Sequence, residues 1–314
     1  MRKDGSGPGL NGPLATASRI DSTRLPRLPE TRLRAQNAFM HRAAAAHVSR
    51  EDHEVEIAGR RLFVRTLVPP GGPDIGQGPT LVLLHEALGC ISQWGHFPEE
   101  LVRATGLPAF LYDRYGHGQS EGLQGPRPAD YLEIEAIEVL PHILAAFGIT
   151  APIPFGHSDG GTIALLFAAE YPTVPAAVIC EAHHVFLEEI TVRGLRRAAE
   201  AYATGRLRDR LARLHGDNLD PLFRGWNDIW LAPERRHWDI TPRLTTIQAP
   251  LLMIQGEYDE YGSEAQIQAV AARVSGPAHH LLIPDCRHVP HHECRERVLA
   301  RSVAFLQAAC ARRR

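Results

Sequence analysis

Alternation of apolar and polar positions sets in at Glu54: Val55 and Ile57, then Leu62, Val64 and Thr66. This period of two predicts a pair of antiparallel strands turning at Gly59. Residues 80–85 form a continuously apolar run ending in a histidine, as expected of a strand covered on both faces, and a helical stretch follows to about Ala104. Residues 108–112 form a second such run, and residues 131–147 carry a helical period that ends before Gly148. A strand over 153–156 and a helix over 161–170, stopped before Pro172, come next. Strands over 176–180, 251–255 and 280–283 and a terminal helix over 294–310 complete the series. Strands and helices taking turns in this way predict an α/β fold, a mostly parallel sheet with helices on both faces.

Between about Val185 and Leu244 the strand signals vanish, and arginine-rich helical segments carry Trp226, Trp230 and Trp238. Placed between core strands at the carboxyl edge of the sheet, this segment is expected to form a helical cap over the ligand site. The plainer alternative is a helical decoration whose tryptophans merely pack. The expected domains are a core of residues 51–184 and 245–314 and a cap over 185–244. Residues 1–50 hold Gly5-Ser6-Gly7-Pro8-Gly9 and several prolines without any period, which predicts a disordered leader, and Met40 offers an alternative start.

Charge narrows the partners. The 314 residues carry 34 basic and 36 acidic side chains, a net charge of −2, with no long basic run. That balance gives no electrostatic footprint for nucleic acid or for an anionic membrane surface. No stretch reaches the about eighteen consecutive apolar residues of a membrane span. The expected partner is a small-molecule substrate, with no nucleic acid, no membrane and no cofactor. Five cysteines, Cys90, Cys180, Cys286, Cys294 and Cys310, are odd in number and widely scattered, which predicts reduced thiols and a cytoplasmic setting.

The chemistry concentrates at Gly156-His157-Ser158-Asp159-Gly160, a G-x-S-x-G sequence between an apolar strand and a helix. A strained strand-to-helix turn pushes such a serine hydroxyl into the open, and the glycines stand where a side chain would clash. Here the chain resembles the α/β-hydrolase superfamily, from about Glu54 to its C-terminus. The resemblance implies a nucleophile, an acid after a later strand and a histidine near the end, in that order. Gln255-Gly256-Glu257-Tyr258-Asp259 is similar to the segment carrying the acid, and Asp285-Cys286-Arg287-His288 to the loop carrying the base, where Arg287 replaces the usual glycine. Ser158, Asp259 and His288 are therefore the expected triad. Glu181, Glu257 and Glu260 are rivals for the acid, and His291 and His292 for the base.

The resemblance also implies an oxyanion hole from the backbone N–H groups of Ala87 and Asp159. In the first of these turns, His85-Glu86-Ala87, glutamate stands where the family usually has glycine. Asp113 to Ser120 is similar to a structural turn of the family and is assigned no chemistry. Glu86, Leu88, Trp94, His157, Trp226 and Trp230 are expected to line the substrate pocket. Cys286, His288, His291, His292 and Cys294 fall within nine residues, yet structural zinc sites usually pair two such clusters, and no metal is expected. The resulting expectation is a serine hydrolase of small or medium acyl esters, lactones or thioesters. A carbon-carbon bond hydrolase of ring-cleavage products and a non-catalytic ligand-binding protein of the same fold are the alternatives, and an acceptor other than water stays open.

Overall fold

A computed structural model describes residues 47–311. Eight strands form one sheet: β1 Ser49–Ile57, β2 Arg60–Val68, β3 Pro79–Leu84, β4 Ala109–Tyr112, β5 Ala151–His157, β6 Val178–Glu181, β7 Leu251–Gly256 and β8 Ala278–Ile283. Their order is β1-β2-β4-β3-β5-β6-β7-β8. Strand β2 runs antiparallel to both β1 and β4, and every other neighbouring pair is parallel. Winding runs outward in both directions from β3 and β5, so the sheet opens a crevice at their carboxyl ends, where ligands of such sheets bind.

The apolar runs are explained by the two cores. Val82 and Leu84 of β3 pack into one, Leu81 and Leu83 into the other. Helix α1, Phe97–Thr105, covers the second core through Phe97, Leu101 and Val102, together with the C-terminal helix. Helix α2 begins at Tyr131–Ile134 and passes through a π-helical turn, Glu135–Val139, into Leu140–Ala146. Pro141 has no N–H for the carbonyl of Ile137, four residues back. The Tyr171 hydroxyl donates to that carbonyl instead, at 2.8 Å.

After α3, Asp159–Glu170, and strand β6, the chain runs through α4 Glu189–Ala203, α5 Arg206–His215 and α6 Leu219–Leu231 before returning to β7. Then come α7 Ala265–Ala271, α8 Pro290–Glu293 and α9 Arg295–Ala311. The edge strand β1 begins at Ser49, before the alternation at Glu54. Its first residues are exposed and charged, which suits an unpaired sheet edge and leaves no apolar signal. Residues 49 and 50 of the expected leader thus belong to a strand, and positions 1–46 lie outside the described residues. Among the described residues no helix is long and apolar enough to cross a membrane, and no disulfide joins any of the five cysteines.

Candidate active site

Strand β5 ends against α3 in a tight turn at Ser158. Ser158 sits at φ 52° and ψ −117°, a positive φ that costs a side-chain-bearing residue about 1–3 kcal/mol unless its surroundings impose it. Those surroundings are the glycines. A Cβ on Gly156 would lie 1.9 Å from the carbonyl oxygen of Gly160, and one on Gly160 would lie 2.0 Å from that of Leu84.

His288 and Asp259 come from loops after β8 and β7. The His288 Nε2 lies 3.1 Å from the Ser158 Oγ, and its Nδ1 lies 2.8 Å from an Asp259 carboxylate oxygen. With the Nδ1–H donated to Asp259, Nε2 is free to accept the serine proton. Asp259 is fixed in turn by the Gln255 amide at 2.7 Å and by the backbone N–H of Tyr261 at 2.8 Å. Burial works against a charged His288, but the neighbouring Asp259 carboxylate and its hydrogen bond raise the imidazole pKa above its ordinary value. Asp259 is buried too, and the His288 charge and hydrogen bond hold its pKa below the usual range. Three of the rivals are engaged elsewhere: Glu181 accepts from His291 at 2.7 Å, and the His292 Nε2 donates to the Gln93 carbonyl. His288, His291 and His292 therefore serve separate partners, Cys286 and Cys294 hydrogen-bond to each other, and no group of three metal-binding side chains occurs among the described residues.

A cavity of about 280 Å³ opens over Ser158 and His288. Ala87, Leu88, Asp159 and Glu86 form its floor, with Leu195 of α4, Leu211 of α5 and Trp226 and Trp230 of α6 opposite. The Asp159 N–H is the first of α3, where helix geometry leaves donors without intrahelical acceptors. Trp94 and His157 are placed differently from expectation: both line a neighbouring cavity behind Glu86, with His291 and His292. Trp94 is held there by Phe97, Phe155 and the His291 ring, 4.5 Å away.

Several positioning groups were invisible in the sequence. Arg114 and His117, in the turn first assigned no chemistry, brace the Glu86-Ala87 turn. The Arg114 guanidinium donates to the Glu86 carbonyl at 2.7 Å, and the His117 Nε2 lies 3.0 Å from the Ala87 carbonyl. His215, at the end of α5, donates to the Leu88 carbonyl and accepts the Gly118 N–H, both at 2.9 Å. Tyr131 donates to the Asp159 carboxylate at 2.6 Å and accepts from the Trp230 indole at 2.9 Å. Tyr261 lays its ring 4.6 Å from that of His288. No local periodicity marks these contacts, because their partners lie far apart in sequence.

The family model described as serine aminopeptidase, S33, matches residues 79–295. Mouse monoglyceride lipase is 31% identical over 126 residues, 38% of this chain and 39% of that protein. The match thus spans about two fifths of that relative. A 2-hydroxy-6-oxo-6-phenylhexa-2,4-dienoate hydrolase of Burkholderia cepacia is 25% identical over 214 residues, 60% of this chain and 74% of that protein. In solved structures, the hydrolase of the same name from Rhodococcus sp. shares the fold with a TM-score of 0.68 at 14% identity, covering 83% of this chain and all of the other. With the family match spanning most of the chain, and with the sheet and serine turn described above, the protein belongs to the serine aminopeptidase S33 family of α/β hydrolases.

Proposed function

We propose that the protein cleaves small or medium acyl esters, lactones or thioesters through an acyl-enzyme on Ser158. The observation that carries this is the continuous hydrogen-bonded series Ser158–His288–Asp259 at the mouth of a 280 Å³ cavity. His288 takes the Ser158 proton as Oγ attacks the acyl carbon, and Asp259 holds the imidazole in the needed tautomer and stabilises the imidazolium. The oxyanion of the tetrahedral intermediate meets the N–H groups of Ala87 and Asp159. His288 then returns the proton to the leaving alcohol or thiol. Water, activated by the same imidazole, releases the acid and restores Ser158.

Helices α4 to α6 act as the cap in this proposal. Their Leu195, Leu211, Trp226 and Trp230 supply apolar surface facing Ser158, and a cavity this small, just below the usual range for ligand sites, suits a short or aryl acyl group. The similarity to monoglyceride lipase favours ester chemistry. A cytoplasmic setting, with the cysteines as thiols, belongs to the same proposal. One relative favours a second reading: the similarity to the phenylhexadienoate hydrolase extends over more of both chains, which supports cleavage of a carbon-carbon bond with the same three residues.

A panel of p-nitrophenyl esters of increasing acyl length, an emulsified triglyceride and a vinylogous diketone separates these. The expected result is turnover of short and aryl esters that falls with chain length. Equal rates on a soluble short ester and the triglyceride would contradict the small pocket. Rapid diketone cleavage with little ester hydrolysis would assign the second activity instead.

A further inference from the structure

Glu86 lines the cavity with Ser158, in a turn where glycine is usual. A Glu86 carboxylate oxygen lies 3.2 Å from the His157 Nδ1, and the His157 Nε2 lies 2.7 Å from the backbone carbonyl of His288. Both partners of the His157 ring are acceptors. A neutral imidazole has one N–H and can satisfy only one of them, whereas an imidazolium satisfies both. We propose that Glu86 and His157 form an ion pair that holds the His288 loop in register with the oxyanion turn.

The pair joins the segments that must cooperate: the turn after β3, the serine turn after β5 and the loop after β8. The rest of the His288 loop is held in the same manner. The Glu293 carboxylate accepts the N–H groups of Arg287 at 2.7 Å and Val289 at 3.2 Å, on either side of His288. His157 is thereby the group that holds the carbonyl of the base residue itself, and Glu86 keeps His157 charged.

The charged and titratable neighbours of His157 agree. Glu86 faces it from the β3 turn, and the His288 ring lies 5.2 Å away in the β8 loop. The His291 ring, itself bonded to Glu181, lies 5.0 Å away on α8, and the Trp94 indole stands edge-on at 6.5 Å. Burial opposes charge on His157, but the hydrogen bond and charge of Glu86, with the charge of Glu181, raise its pKa. Burial likewise opposes ionisation of Glu86, and the His157 hydrogen bond and charge outweigh it and lower its pKa.

The test compares the ¹⁵N-histidine-labelled protein with Glu86→Gln and the conservative Glu86→Asp. At pH 7 both ring nitrogens of His157 are expected to carry protons in the parent, and one in Glu86→Gln. The low-field proton of the His288–Asp259 hydrogen bond is expected to shift in Glu86→Gln and to return toward its parent position in Glu86→Asp. These signals need no substrate, so they decide the proposal even if the ester reading of Ser158 fails. The kinetic arm rests on that reading. Glu86→Gln should lower kcat roughly 10-fold at pH 7 with KM within about threefold, a loss suited to misplacement of the base. The alkaline limb of its kcat profile should move to lower pH, where the unpaired His157 loses its proton. A singly protonated His157 in the parent, or a Glu86→Gln protein with the parent's His288 proton signal, would overturn the proposal.

Discussion

Replacing Ser158 with alanine should lower the hydrolysis of the best p-nitrophenyl ester by about 10⁴- to 10⁶-fold while leaving the fold intact. Both parts follow from the geometry. The Ser158 Oγ bonds His288 at 3.1 Å and no other side chain among the described residues, and His288 lines the cavity, where water can take the hydroxyl's place, so the deletion removes the nucleophile without leaving an unmet bond inside the core. The strained φ of 52° is imposed by the packing at Gly156 and Gly160, which alanine at 158 does not disturb. Residual activity should be insensitive to a further His288→Ala change, because groups acting as one unit lose their contribution together. Parallel steady-state assays of the two single variants and the double variant test this, and additive losses in the double variant would contradict a shared proton path. The pH dependence of the parent has a definite sign. Catalysis needs neutral His288, whose pKa is raised, so kcat/KM should fall as pH drops through a value above the ordinary 6.5 of histidine.

Stability should fall steeply on acidification below about pH 6.5, before most carboxylates protonate. Burial holds the pKa values of His85, His117, His184 and His215 below their ordinary value and that of His183 at about 3. Two of them are locked neutral by their bonds: the His85 Nε2 accepts the Arg114 N–H at 3.0 Å and the His215 Nδ1 accepts the Gly118 N–H at 2.9 Å, so a proton on either of these accepting nitrogens would face another N–H. A group with a depressed folded pKa binds protons more readily when unfolded. Its stabilisation is therefore complete above the unfolded pKa near 6.5 and is lost as pH falls toward the folded value. Each such histidine removes up to about 1.4 kcal/mol per pH unit across that window. His157 and His288 have raised values, so their contributions are complete below about 6.5 and are lost only on the alkaline side. They cannot offset the acid loss. The melting temperature should drop by roughly 10 °C or more between pH 6.5 and 4.5. A flat profile over that range would contradict burial of these imidazoles in the neutral form.

What the sequence disclosed was local. Continuously apolar runs identified the strands of the parallel sheet, because a strand sandwiched between two cores has no polar face to display. The serine turn was legible for the same reason: its glycines are required by contacts within a few residues. Asp259 and His288 were legible through the segments around them, and the structure brings both to Ser158. The start of β1 was not, since an exposed edge strand reading Ser49-Arg50-Glu51-Asp52 carries no apolar pattern. Trp94 was expected in the pocket because it follows the oxyanion turn, but aromatic partners at the other face of Glu86 turned it away. Tyr131, His215 and Tyr261 escaped notice because their roles arise from pairings with residues far beyond one element in sequence. Glu86 and Arg287 are the two departures from the family pattern. Glu86 supplies the carboxylate facing His157, and the Arg287 N–H is taken up by Glu293, so both loops are held by charged hydrogen bonds where glycines are usual.

Everything proposed for the site depends on Ser158 being a nucleophile activated by His288. Incubation of the full chain with a fluorophosphonate, followed by digestion and mass spectrometry, tests it without knowledge of the natural substrate. One covalent adduct is expected, on Ser158, forming at least about 100-fold more slowly in His288→Ala, as loss of general-base assistance requires. A protein left unlabelled, or labelled at the same rate with and without His288, would contradict it.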